Sequence, residues 1–373
     1  TLRLYTIVLF GVAALGGLVM SALLTTRLVR GLRWLLDSTR AVEAGTQATV
    51  LPVLSRDEIG ELTRAFNRMF EELQAKEHIK ETFGKYVDPR IVTHLLAGTG
   101  NEEAAERRVV TVFFSDIQTF TAISEQLTAQ AMVNLLNHYF TAVATVIRAH
   151  RGIVDKYIGD GVMAFWAPPF SPSDAHAADA CLTALAQQNA IAEMRQDLSN
   201  IIGLRRNVPE FRVRMGLATG EVVLGTVGSP AVKSYTIIGD VVNLASRLEG
   251  INKLFGTSII IAEDTQRLVQ AVVETRELDC VTVVGKTEPV RIYEVLGKVG
   301  EVDPATLTLR DHFAAGLAHY RAMEWESADE LFTDCLRQAP EDKPSHLLRE
   351  RIPTLRTSAL SPDWNGVWHL TEK

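Results

Sequence analysis

Two aspartates stand where β-branched runs end, a placement suited to holding divalent cations. Val109 to Phe114 alternates and is β-branched, so a buried strand is predicted from Arg108 that delivers Ser115 and Asp116 at its end. A second strand signal runs from Gly152 to Ile158, and a third from Val162 to Trp166. Gly159-Asp160-Gly161 lies between them, which predicts a hairpin with Asp160 at its tip. Carboxylates on neighbouring strand ends can share hard cations such as magnesium, which takes one or two carboxylates plus substrate phosphates. A single strand-end aspartate is more often a turn or helix cap, so the assignment needs further residues. They come from Tyr235 to Arg247, read as a strand ending at Gly239 and a helix that Asp240 is placed to cap. Asn243 and Arg247 then fall one turn apart on one helix face.

Three segments carry a family resemblance. Phe114-Ser115-Asp116-Ile117-Gln118-Thr119-Phe120-Thr121 and Lys156-Tyr157-Ile158-Gly159-Asp160-Gly161 resemble the two metal-binding motifs of the class III adenylate and guanylate cyclases. Tyr235 to Arg247 resembles the segment of that family that meets the ribose and the transition state. The resemblance covers about half the chain and implies a reaction in which the ribose 3′ oxygen attacks the α-phosphorus and pyrophosphate leaves. It implies two Mg2+ (or Mn2+) ions per site, held by Asp116, the backbone of Ile117 and Asp160. It also implies that Asn243 orients the ribose, that Arg247 meets transition-state charge, and that Lys156 and Thr236 read the purine. Lys286, within Val284 to Pro289, matches the family's basic residue for the terminal phosphates of ATP.

Base choice follows from donor and acceptor chemistry. Adenine presents an acceptor at N1 and donors at N6, whereas guanine presents a donor at N1 and an acceptor at O6. A lysine only donates and a threonine hydroxyl can accept, so Lys156 and Thr236 fit adenine. Guanine-specific members carry an acidic residue where Lys156 stands. The threonine form resembles a bacterial subgroup, some members of which respond to bicarbonate. The expected activity is a membrane-bound adenylate cyclase; a guanylate cyclase and a silent nucleotide-binding receptor or scaffold are the alternatives. Lys156 and Asp160 are four residues apart yet serve opposite ends of the nucleotide. The family resolves this with a head-to-tail homodimer, one protomer lending the aspartates and the other Lys156, Thr236, Asn243 and Arg247.

The elements that must position these residues read as follows. The predicted fold class is α+β, a ferredoxin-like cyclase domain at 108–298 with a long helix from about Asp174 to Leu198. Leu4 to Thr26 holds no charge and is followed by Arg27, Arg30 and Arg33. A helix there spans ~34 Å, enough for a bilayer core of ~30 Å, so a transmembrane helix is expected at 1–26 with its arginine side in the bacterial cytoplasm. Leu28, Leu32, Leu35, Thr39 and Val42, then Ile59, Leu62, Phe66, Met69 and Leu73, alternate steps of three and four, the seam of a coiled coil. Gly45 and Pro52 separate the two runs, and Ser55 and Glu58 are spaced as a capping box. With Asp57-Glu58-Ile59-Gly60-Glu61-Leu62 and Phe66-Asn67-Arg68-Met69, this stretch resembles a HAMP domain, placed at 27–79, which implies a parallel dimeric bundle. A helical connector and linker occupies 80–107. The tail, 305–373, reads as two packed helices of tetratricopeptide type and a terminal loop with an aromatic anchor.

The chain has 373 residues, a net charge of −7 and 22% charged residues. That balance gives no footprint for nucleic acid as a partner. Three cysteines, Cys181, Cys280 and Cys335, are widely spaced, so neither a disulfide framework nor a zinc site is expected. The first residue is Thr1 rather than Met, and an upstream sensor domain is expected.

Overall fold

The structure is a computed structural model that describes residues 2–43, 50–53, 55–84, 88–96, 105–204, 208–230, 232–282, 288–357 and 364–369. The chain divides into two compact units, Thr1–Val92 and Thr93–Lys373.

In the first unit, helix α1 spans Leu2–Glu43 and helix α2 spans Glu58–Phe83. The membrane span expected at 1–26 is not recovered as an element of its own. Helix continues without a break from the uncharged stretch through the arginines to Glu43, and among the described residues no helix is long and apolar enough to cross a membrane. The apolar side chains of this stretch, Leu9, Phe10, Leu18 and Met20 among them, are exposed within the single chain. Leu35, Phe66 and Phe70 pack together with Leu51 against them, while Leu62, Met69 and Leu73 of the predicted seam stay exposed. The Asn67 amide grips the connector at both backbone groups of Leu51, donating to its carbonyl at 2.8 Å and accepting from its N–H at 3.0 Å. The helix cap is Asp57, not the predicted Ser55: its carboxylate accepts from the N–H groups of Ile59 and Gly60, and the Ser55 hydroxyl, followed by those N–H groups, holds its pKa below the usual carboxylate range. The glycine break at Gly45 lies outside the described residues.

Helix α3, Pro89–Leu96, follows, with its proline at the first helical position. The second unit is built on strand β1 (Glu106–Ile117), helices α4 (Phe120–Ser124) and α5 (Ala129–Ala149), and the hairpin β2 (Ile153–Ile158) and β3 (Gly161–Trp166). Helices α6 (His176–Gln196) and α7 (Leu198–Ile202) come next, then strands β4 (Val213–Gly228) and β5 (Lys233–Ile238) and helix α8 (Asp240–Phe255). Strand β6 (Ile259–Ala262), helix α9 (Glu263–Val269) and the hairpin β7 (Val273–Thr282) and β8 (Val290–Lys298) complete the sheet's own elements. The strands lie in the order β2-β3-β1-β4-β6-β8-β7, with β5 paired to β4. The first four strands and their crossover helices form the βαββαβ arrangement that the sequence predicts.

Strand parity divides the sheet into two faces. Phe113 and Ile117 of β1, with Met215 and Leu217 of β4, face a core filled by Leu135, Tyr139 and Val143 of α5 and by α6. Their even-numbered neighbours point the other way, toward α8. Helix α8 lies unusually close to β4, because a Cβ at Gly216 would sit 2.2 Å from the Glu249 nitrogen and 2.3 Å from the Ala245 carbonyl oxygen. Only glycine admits that approach.

The tail is more than the two helices read from the sequence. Helices α10 (Pro304–Arg321), α11 (Trp325–Gln338) and α12 (Lys343–Thr357) bury Phe313, Leu317, Phe332 and Leu348, and Trp364 and Trp368 pack against that cluster. The aromatic terminus also forms strand β9 (Val367–His369), which adds to the sheet edge parallel to β7. The third helix was missed because Pro353 lies inside it; its Leu348, Ile352 and Leu355 join the cluster, and ion pairs anchor it as well. Arg351 of α12 meets Asp279 of β7 at 2.6 Å with both side chains buried, and Arg276 bridges Glu294 at 2.6 Å and Asp342 at 2.8 Å. Removing one member of a buried pair strands a charge and costs ~3–5 kcal/mol. Arg351→Ala should therefore lower the unfolding free energy by ~3 kcal/mol in denaturant titrations followed by tryptophan fluorescence. The double replacement Asp279→Leu, Arg351→Met should lose much less.

Candidate active site

The metal-type end of the site forms on the α8 face of the sheet. Ser115 and Asp116 are neighbours on β1 and point to opposite faces. The Ser115 hydroxyl is buried on the core side, where Gln187 donates to it at 2.6 Å and the Tyr139 hydroxyl lies at 2.8 Å. This fixes the end of the strand and leaves Asp116 on the other side. Pairing of Ser115 with Val162 sets Asp116 beside the β2–β3 turn, which Gly159 closes at φ +64° and which carries Asp160. The approach is close: a Cβ at Gly161 would be 3.4 Å from Asp116 Oδ1.

Burial, followed by the nearby Asp160 carboxylate, pushes the Asp116 carboxyl up to about 6. Oδ2 of Asp160 is buried with no hydrogen-bond partner. Two like charges with an unsatisfied buried oxygen between the strands call for a cation. Arg214 stands directly across from Asp116 on β4. Its Nη2 donates to Asp116 Oδ2 at 3.3 Å, and its Nε lies 2.9 Å from Glu249 Oε1 on α8. Burial raises Glu249 to about 7, against the pull of Arg214. Neither Arg214 nor Glu249 was singled out from the sequence. Arg214 became visible only once β4 was paired with β1, and Glu249 only once Gly216 let α8 approach.

Lys156 on β2 and Thr236 on β5 each lie beside the carboxylate of Asp155, a residue sequence reasoning missed. Strand β2 carries a bulge between Val154 and Lys156, so two consecutive side chains reach the same neighbourhood. The Asp155 side chain is 0% exposed and lies 3.2 Å from Lys156 Nζ. Burial raises its carboxyl, while the Thr236 hydroxyl and then the Lys156 ammonium beside it oppose the rise.

Asn243 and Arg247 lie on α8 as predicted, Asn243 exposed and Arg247 half-buried. Arg247 Nη1 is buried and has no hydrogen-bond partner. Among the described residues, no ion pair or hydrogen bond joins Asn243 or Arg247 to Asp116 or Asp160. The cap of α8 is Gly239 and not Asp240, which is the first helical residue. Ile117 follows Asp116 directly, with its side chain in the core. Lys286 lies outside the described residues.

A raised carboxyl pKa has a defined consequence for stability. The folded state binds more protons than the unfolded chain between the ordinary aspartate value and about 6, so the Asp116 contribution becomes unfavourable as pH rises through that window. Asp116→Asn should thus raise the melting temperature of metal-free protein at pH 7.5, and the gain should vanish near pH 4, as read by differential scanning fluorimetry.

Comparison with known proteins matches two parts of the chain to families. Residues 102–297 match the family described as the adenylate and guanylate cyclase catalytic domain, and residues 23–75 match the HAMP domain. The chain is 36% identical over 294 residues to adenylate cyclase 1 of Rhizobium meliloti (strain 1021), covering 78% of this chain and 42% of that protein. It is 34% identical over 250 residues to the adenylate cyclase of Anabaena cylindrica, covering 64% of this chain and 48% of that protein. It therefore spans less than half the length of these relatives. A solved bacterial light-regulated adenylyl cyclase shares the fold, with a TM-score of 0.52 and 24% identity over 63% of this chain and 65% of that one. This chain belongs to the adenylate and guanylate cyclase catalytic-domain family and carries a HAMP domain ahead of its catalytic domain.

Proposed function

We propose that the chain is a HAMP-regulated adenylate cyclase that forms 3′,5′-cyclic AMP and pyrophosphate from ATP at sites shared between two copies. The observation that carries this reading is the pairing of Asp116 with Asp160, where burial and like charge raise one carboxyl and leave a buried oxygen of the other without a partner. Such a donor set of hard oxygens fits Mg2+ or Mn2+. Asp116, Asp160 and the Ile117 backbone would hold two such ions, which lower the pKa of the attacking 3′ hydroxyl and offset phosphate charge.

The rest of the work falls to the chain's own side chains. Arg247, whose buried Nη1 is without a partner, would donate to charge developing at the α-phosphoryl group. One such donor is worth roughly 10²–10³ in rate. Asn243, exposed one turn earlier, would orient the ribose. Lys156 would donate to adenine N1 and Thr236 accept from N6, and Lys286 would meet the terminal phosphates. Among the described residues no hydrogen bond or ion pair joins the α8 pair to the carboxylates of the same chain, which fits a composite site in which each protomer lends α8 to its partner's aspartates.

The exposed seam residues Leu62, Met69 and Leu73 support a parallel HAMP dimer that brings two catalytic domains together. A bacterial membrane location with an upstream sensor belongs to the same proposal, supported by the HAMP match and by the uncharged stretch from Leu4 to Thr26.

Incubation of the purified protein with ATP or GTP and Mg2+ or Mn2+, with products separated by chromatography, should yield cyclic AMP as the main product. Cyclic GMP as the main product would contradict the reading of Lys156 and Thr236. Asp116→Ala and Arg247→Ala proteins should each lose at least ~10²-fold in activity. Mixed and re-dimerised, they should recover up to one working site per heterodimer. Confirmed heterodimers without recovery would refute the shared site.

A further inference from the structure

We infer that Asp155 is a specificity-determining residue that acts through Thr236 and Lys156 by fixing which atoms at the purine end donate and which accept. The inference rests on the proposed function and deepens it, naming what makes the site read adenine.

The sequence feature is a threonine hydroxyl at a purine-reading position. By itself a hydroxyl does not discriminate, since it can donate or accept by rotating. It could take a hydrogen from adenine N6 or give one to guanine O6. Its neighbour removes that freedom. The Asp155 side chain is fully buried, and neither of its oxygens has a well-directed hydrogen bond. An ionised carboxylate only accepts, and leaving it unsatisfied is costly. The Thr236 hydroxyl beside it is a donor that can satisfy it. A proton turned toward that carboxylate leaves the hydroxyl with lone pairs alone to offer the base, which matches adenine N6 and repels guanine O6.

The same carboxylate lies 3.2 Å from Lys156 Nζ, and a lysine head group only donates. That suits adenine N1 and opposes the N–H of guanine N1. The β2 bulge makes both contacts possible, because in a regular strand Asp155 and Lys156 would face opposite sides of the sheet. Lys156 remains 44% exposed, so its head can reach a nucleotide while Asp155 stays behind it.

Asp155→Asn keeps the size but supplies an amide that can donate to the hydroxyl, freeing its proton for O6. We expect the ratio of kcat/KM for ATP over GTP to fall at least about tenfold, mostly through KM for ATP. In a Thr236→Ala background the same change should move the ratio less than about twofold, because the shared partner is gone. A folded Asp155→Asn protein with an unchanged ratio, or with an equal effect in both backgrounds, overturns the inference. A test that needs no variant uses purine riboside triphosphate, which keeps N1 and lacks the N6 amino group. Its KM should exceed that of ATP about tenfold, and equal KM values overturn the inference. If the unaltered protein prefers GTP, or if Asp116→Ala stays active, the proposed function itself fails. If ATP is preferred and Asp116→Ala is inactive while Asp155→Asn still discriminates, only the role of Asp155 fails.

Discussion

Everything about this site follows from the repulsion between two carboxylates held side by side on a sheet. Burial, and then the Asp160 carboxylate beside it, makes the charge of Asp116 expensive. Such an arrangement is unfavourable for the protein alone, and a cation between the acids would offset it. The fold applies considerable structure to keep it. Tyr139 and Gln187 pin the strand from beneath through Ser115, Gly159 closes the turn, and Arg214 offsets part of the charge from across the sheet.

Strand parity turns that local constraint into an architecture. Odd-numbered positions of β1 near its end enter the core, and Asp116 therefore enters the α8 face. The same alternation puts Arg214 and Gly216 of β4 on that face. Gly216 lets α8 settle onto the sheet backbone, which brings Glu249 to Arg214 and sets the height of Asn243 and Arg247. One helix thus reaches Arg214 with Glu249, while no hydrogen bond or ion pair joins its Asn243 or Arg247 to Asp116 or Asp160 among the described residues. The tail contributes at the opposite edge, where a buried ionic joint and a short parallel strand tie α10 to α12 and β9 to the β7–β8 hairpin.

Much of this was legible in the sequence because it rests on local pattern. The strand before Asp116, the hairpin carrying Asp160, the long helix and the one-turn spacing of Asn243 and Arg247 all come from periodicity and turn chemistry. What was not legible depends on pairing between distant segments. Arg214 acquires meaning from its register opposite Asp116, Glu249 from a close helix–sheet approach, and Asp155 from a bulge that no residue type announces. At the amino-terminal end, Ser55 and Glu58 had capping-box spacing, yet Asp57 reached the free N–H groups first. In the tail, α12 carries Leu348, Ile352 and Leu355 at helical spacing, but Pro353 within it argues locally against a helix.

The most direct test of the central claim is equilibrium binding of Mn2+ in the presence of a non-cyclisable ATP analogue, followed by electron paramagnetic resonance of free Mn2+. The carboxylate pair should bind the ion, and Asp116→Asn combined with Asp160→Asn should weaken binding by at least about tenfold while the fold persists. Unchanged Mn2+ affinity in that folded double variant would contradict the account.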